Sequence, residues 1–136
     1  MKNLSKKWLL IAALGALVLA NAAFSFTDDD WQVPEEFVNL KNPVKADDES
    51  LDVGKMLYSK HCKSCHGKYG EGDGPKADEL DTDCGDFTTE EFQEQTDGSL
   101  FYKTKMGRDD MPEFKKKIKD DEDIWHIVNY LRTLEE

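Results

Sequence analysis

The sequence predicts an all-α fold in which several short helices are joined by long loops, and three observations carry that prediction. Apolar residues recur at helical spacing in separate stretches, most clearly at Ile124, Ile127, Val128, Leu131 and Leu134. Acidic and hydroxyl residues able to cap helices precede these stretches, and Gly107 is a natural stop. No stretch alternates as a strand would, and no segment repeats. With 136 residues the chain has room for one domain.

The leader stands apart from that domain. Lys2, Lys6 and Lys7 form a positive n-region, Trp8 to Ala20 is an unbroken small and apolar run, and Ala20-Asn21-Ala22 has the small-x-small form of a cleavage site. Residues 1–22 are therefore expected to be a secretory signal, cleaved or, if the apolar run is stretched to Phe26, retained as an anchor. The expected location is periplasmic or otherwise exported. Net charge is −11 for the whole chain; without the leader lysines, 15 basic residues face 29 acidic ones, for −14. Nucleic acid and anionic lipid are poor partners for that charge, and a protein with a positive docking face is a good one. Export also implies an oxidising compartment, and three cysteines leave one unpaired after any single disulfide.

Residues 23–49 read as an acidic arm interrupted by Pro34 and Pro43. Trp31, Val33, Phe37, Val38 and Leu40 make it too apolar for a pure linker. Part of it is expected to lie across the domain, with a disordered tether as the alternative. The domain proper is assigned to residues 50–136. Ser50 or Asp52 can cap a helix through "LDVGKMLYSKHC", with Leu51, Met56, Leu57 and Tyr58 as its apolar stripe. A Gly-rich loop follows, then acidic irregular sequence to Phe87 and a short helix over "TTEEFQEQ". Asp97 can cap "GSLFYKTKM", "RDDMPEF" reads as a turn, and Asp120 or Asp121 can cap the terminal helix. So much loop leaves a small domain short of core unless something else fills the middle.

Cys62-Lys63-Ser64-Cys65-His66 is a C-x-x-C-H sequence, the signature of c-type haem attachment. Two thiols within one helical turn can each form a thioether to one vinyl group of a single haem, and the adjacent His66 then falls under the iron as proximal ligand. A large apolar macrocycle would supply the missing core. A thioredoxin-like dithiol would need βαβ surroundings that are not readable here. A zinc site would need a second ligand pair, and Cys84, His61 and His126 lack the spacing. A structural disulfide across the short loop leaves His66 unexplained.

The second axial position is assigned to Met111, in Met111-Pro112. A neutral thioether favours the ferrous state and suits electron transfer, and the residue lies in a loop far enough along the chain to wrap round the ring. Met106 is the runner-up, although a packed core role suits its helical position better. His126 reads as a polar-face residue of the last helix, and His61 is too near the attachment turn to reach the opposite face.

From about Leu51 to Leu134 the chain resembles a class I cytochrome c, close to the small monohaem domains found as subunits or fused modules of respiratory oxidases. The matching stretches are "GKMLYSKHCKSCHG", "GEGDGP", "DGSLFYKTKMGRDDMPEF" and "DIWHIVNYLRTL". The resemblance implies a cytochrome c fold wrapped round one covalently bound haem c. It implies that Gly54 and Tyr58 meet Ile127 and Tyr130 where the first and last helices cross. It also implies that the carbonyl of Pro75, or of Gly74 nearby, accepts a hydrogen bond from His66. Cys84 has no role in this pattern and reads as a small, partly buried loop residue.

The expected function is a monohaem, one-electron carrier between redox proteins of a respiratory chain. Cys62 and Cys65 would tether the haem, and His66 and Met111 would ligate its iron. The donor would be a quinol-oxidising complex or dehydrogenase and the acceptor a terminal oxidase or reductase, with membrane-complex association possible. No catalytic residue is expected. The alternatives are a gas- or peroxide-binding haem protein with a labile sixth ligand, and a haem-free C-x-x-C dithiol protein.

Overall fold

A computed structural model describes residues 31–135. The expected secretory signal, residues 1–22, and the first part of the arm lie outside the described residues. Six α-helices are described: α1 (Glu35–Val38), α2 (Asp48–His61), α3 (Lys63–His66), α4 (Glu90–Gln93), α5 (Asp97–Met106) and α6 (Asp121–Leu131). Short 3-10 turns follow at Ala77–Glu79, Phe114–Lys116 and Arg132–Leu134. Among the described residues there is no strand, only an isolated bridge between Arg108 and Met111. No helix among them is long and apolar enough to cross a membrane.

The frame is the crossing of α2 and α6. Gly54 makes it possible: a Cβ there would overlap the His126 carbonyl oxygen and press on the Tyr130 side chain, so only a bare backbone lets the helices come this close. Beside it the Tyr58 and Tyr130 rings meet at 5.3 Å and 55°. Ile124, Ile127, Val128 and Leu131 line the buried face of α6, and Leu57 and Tyr58 face them from α2. Helix α5 adds Leu100 and Phe101, the latter stacked on Trp125 at 4.1 Å. Each such aliphatic or aromatic side chain contributes roughly 1.5–3 kcal/mol by leaving water.

The expected stripe on α2 needs one correction. Met56 is 61 % exposed, and the buried positions are Ser50, Gly54, Leu57 and Tyr58. The cap differs too: Asp47, not Ser50 or Asp52, accepts the Ser50 backbone N–H. The Ser50 hydroxyl is instead buried against α6, 2.8 Å from His126 Nδ1 and 2.9 Å from Asn129 Nδ2. Likewise Thr96, not Asp97, caps α5 through the Ser99 N–H. The Asp97 carboxylate is engaged by Arg132, whose Nε and Nη2 both reach Oδ1. Arg132 also donates through Nη1 to the Gln93 carbonyl, tying α4 and α5 to the end of α6. Asp120 caps α6, accepting from the Glu122 N–H.

The described part of the arm lies against these helices. Phe37 packs on Tyr102 of α5, ring centroids 4.8 Å apart. Asn129 of α6 accepts from the Asn42 amide at 2.8 Å and donates to the Val44 carbonyl at 3.2 Å. One side chain thereby satisfies two arm groups and the Ser50 hydroxyl, which is how a polar residue stays buried in α6.

Candidate haem-attachment site

Helix α2 ends at His61, and Cys62 turns the chain into the single turn α3. The Cys62 carbonyl accepts the backbone N–H groups of Cys65 and His66, at 3.1 and 3.0 Å. The two cysteines and the histidine thus share one helical turn. Cys62 is buried and Cys65 half-buried, and both are free thiols. Burial, then the neighbouring Cys65, pushes the Cys62 thiol up to about 12.

The Gly-rich loop folds back under this turn. Gly72 N–H donates to the His66 carbonyl, Gly74 N–H to Cys65, and Lys76 N–H to Ser64. At Gly74 a Cβ would lie only 2.5 Å from the Cys65 and Ser64 carbonyl oxygens, so glycine is what permits the close approach. The Tyr58 hydroxyl also donates to the Gly67 carbonyl at 2.9 Å. The attachment turn is therefore held both by loop backbone and by a core tyrosine.

His66 itself is half-buried as a residue, yet its Nδ1 is buried without a hydrogen-bond partner. Neither Pro75 nor Gly74 supplies the carbonyl that the resemblance implied. The backbone acting on the ring is that of Cys84, which opposes the dominant effect of burial; the imidazole lies below its ordinary value. The ring also packs on Phe87, centroids 4.5 Å apart and 30° from parallel.

Met111 is half-buried against the core. It closes a tight turn in which Arg108 and Met111 exchange backbone hydrogen bonds at 3.0 and 2.8 Å, and Asp109 takes the left-handed conformation, φ 52°. Asp110 fastens that turn to the loop bearing Cys84: its Oδ2 accepts from Asp81 N–H, Thr82 N–H and Thr82 Oγ1 at 2.9–3.0 Å. Met111 is thus connected through Asp110 and Thr82 to the loop that acts on His66. Met106 is half-buried at the end of α5. His126 is held by Ser50, and His61 lies edge-on to Phe114 at 5.9 Å.

Phe87 and Asp110 gain positions here that sequence reasoning had not assigned. The only signal for Phe87 was an apolar residue ending an acidic stretch. Cys84 is half-buried, and its thiol is pushed up by burial first and by Cys65, Asp83 and Asp110 after it.

The arrangement fits a c-type haem. Two free thiols lie on one turn, beside a histidine whose buried nitrogen has no protein partner. Among the described residues no three His, Cys, Asp or Glu side chains converge as a metal site. Haem c, when bound, supplies an iron that exchanges one electron between its ferrous and ferric states.

Comparison with known proteins agrees. No curated protein matches the chain. Among solved structures, the chain is 28 % identical to a chain of the Kuenenia stuttgartiensis reducing HAO-like protein complex Kustc0457/Kustc0458, with a TM-score of 0.63 over 73 % of this chain. It spans about half of that protein, 49 % of its length. The KustC0563 c-type cytochrome is 27 % identical, with a TM-score of 0.54, and is matched over 98 % of its length by 61 % of this chain. Residues 49–131 match the family model described as cytochrome c oxidase, cbb3-type, subunit III. The chain therefore belongs to that family, as a small class I monohaem cytochrome c of all-α fold that carries covalently bound haem c.

Proposed function

We propose that the protein is an exported one-electron carrier serving a respiratory chain, with no catalysis of its own. Cys62 and Cys65 tether the haem, His66 is the proximal ligand and Met111 the distal one. The observation that carries this reading is the buried, unpartnered His66 Nδ1 on the same turn as two free thiols. Two protein ligands would leave no open position for a substrate. The surrounding residues then act by holding still: the Gly-rich loop and Tyr58 fix the attachment turn, and Asp110 fixes the Met111 turn. A site that moves little between oxidation states exchanges electrons with little reorganisation.

The redox partners follow from the same reading. A dehydrogenase or quinol-oxidising complex would donate, and a terminal oxidase or reductase would accept. The similarity to part of a reducing HAO-like protein complex supports work alongside larger redox proteins, whether as a mobile carrier or as a fixed subunit.

The test is the optical spectrum, oxidised and reduced, of protein exported with haem-attachment machinery, beside its Met111→Ala variant. A low-spin spectrum whose methionine-to-ferric-iron band disappears in the variant supports the His66/Met111 carrier. A high-spin parent that shifts on adding carbon monoxide would instead establish a labile sixth position and the gas-binding alternative.

A further inference from the structure

His66 lies at the start of a run of aromatic rings. Its imidazole packs on Phe87 at 4.5 Å and 30°, and Phe87 stacks on Phe92 at 4.4 Å and 25°. Phe87 is also fixed through its backbone. Its N–H donates to the Gly70 carbonyl at 2.7 Å, and its carbonyl accepts from Gln93 Nε2 at 2.7 Å. The same Gln93 nitrogen donates to the Leu131 carbonyl at 3.0 Å, so the stack is anchored to the end of α6.

The ring of a histidine turns about a torsion between a tetrahedral and a trigonal carbon, which has a broad, shallow preference. An oriented hydrogen bond at the ring nitrogen away from the metal ordinarily removes that freedom. At His66 the Cys84 backbone acts on the ring as a hydrogen-bond partner. Packing adds to this constraint on the ring plane, and Phe87 is the aromatic ring packed against it.

We propose that Phe87 is a positioning residue for the proximal ligand: its stacked ring, backed by Phe92, fixes the plane of the His66 imidazole relative to the haem. This rests on the reading of His66 as ligand. The plane of an axial imidazole decides how unpaired spin is distributed over a ferric haem, so the effect is visible without any measurement of electron transfer.

The experiment is proton NMR of the ferric, haem-loaded protein, with histidine labelled so that the bound imidazole is identified. Phe87→Leu keeps an apolar side chain but removes the stack, Phe87→Tyr restores it, and Phe92→Leu removes only the backing ring. In Phe87→Leu the order of the haem methyl resonances should change; in Phe87→Tyr it should match the parent. Phe92→Leu should show a smaller change in the same direction. An unaltered methyl pattern in a folded Phe87→Leu protein overturns the proposal. Should that variant fail to load haem, Phe92→Leu decides: a changed pattern supports the role, an unchanged one removes it. A parent with no iron-shifted His66 imidazole signals overturns the ligand assignment itself, and the positioning role with it.

Discussion

The Tyr58 hydroxyl donates to the Gly67 carbonyl across 2.9 Å, joining α2 to the residue that follows the attachment histidine. Burial pushes this phenol well above the ordinary tyrosine range, so it is a neutral donor at any working pH. Tyr58→Phe keeps the ring contact with Tyr130 and leaves a buried carbonyl without its partner. Loss of that bond should cost about 1–3 kcal/mol. Equilibrium denaturation of the haem-loaded protein checks this, and an unchanged midpoint would mean that water replaces the hydroxyl.

Gly54 and Met56 make opposite predictions from neighbouring positions. Gly54→Ala drives a methyl group into the His126 carbonyl and should destabilise by about 1–3 kcal/mol or more through forced separation of α2 and α6. Met56→Ala, at a side chain 61 % exposed, should stay within about 0.5 kcal/mol of the parent. Thermal unfolding of the two variants tests the crossing directly. Equal effects would mean that the helices can part at Gly54 without loss.

That pair also shows which parts of the fold were legible. Helix α6 was readable because its buried face is built from aliphatic side chains, whose spacing is itself the signal. The buried face of α2 was not, since Ser50 and Gly54 occupy the closest approach and apolar Met56 points to solvent. The caps of α2 and α5 were misplaced for a related reason. Ser50 and Asp97 are good capping residues locally, but their side chains are held by His126, Asn129 and Arg132 from far along the chain. The attachment turn was legible because covalent chemistry dictates its spacing. Phe87 and Asp110 were not, because their importance lies in contacts with loops distant in sequence.

Asp86 gives the pH dependence its sign. Its carboxylate accepts from the Thr88 hydroxyl and N–H at 2.7 and 2.9 Å, and these bonds lower its folded-state pKa, side-chain bond first. A depressed carboxyl stabilises the fold above its unfolded pKa, about 3.9, and loses that contribution as pH falls through the lower folded value. Asp86→Asn should therefore be less stable than the parent near neutrality, with the difference shrinking in acid. Because Asp86 precedes Phe87, the variant should also loosen the stack on His66. A stability difference that stays constant from neutral to acidic pH would remove Asp86 from this account.

The acidic surface makes a kinetic prediction. Every exposed carboxylate adds to a net charge of −11 for the whole chain, and association with a redox partner of opposite charge is accelerated by that field. The Debye length shrinks from about 10 Å at 0.1 M salt to about 3 Å at 1 M. The second-order rate of electron transfer with a basic partner should therefore fall steeply as salt rises, while the rate with a neutral small-molecule reductant should hardly move. The comparison separates docking from the intrinsic behaviour of the site, since the neutral reductant samples the haem without the field. A salt-independent protein rate would place the docking face away from the carboxylates, and the lysines at 115–117, two of them paired with Glu113, would be the next surface to neutralise.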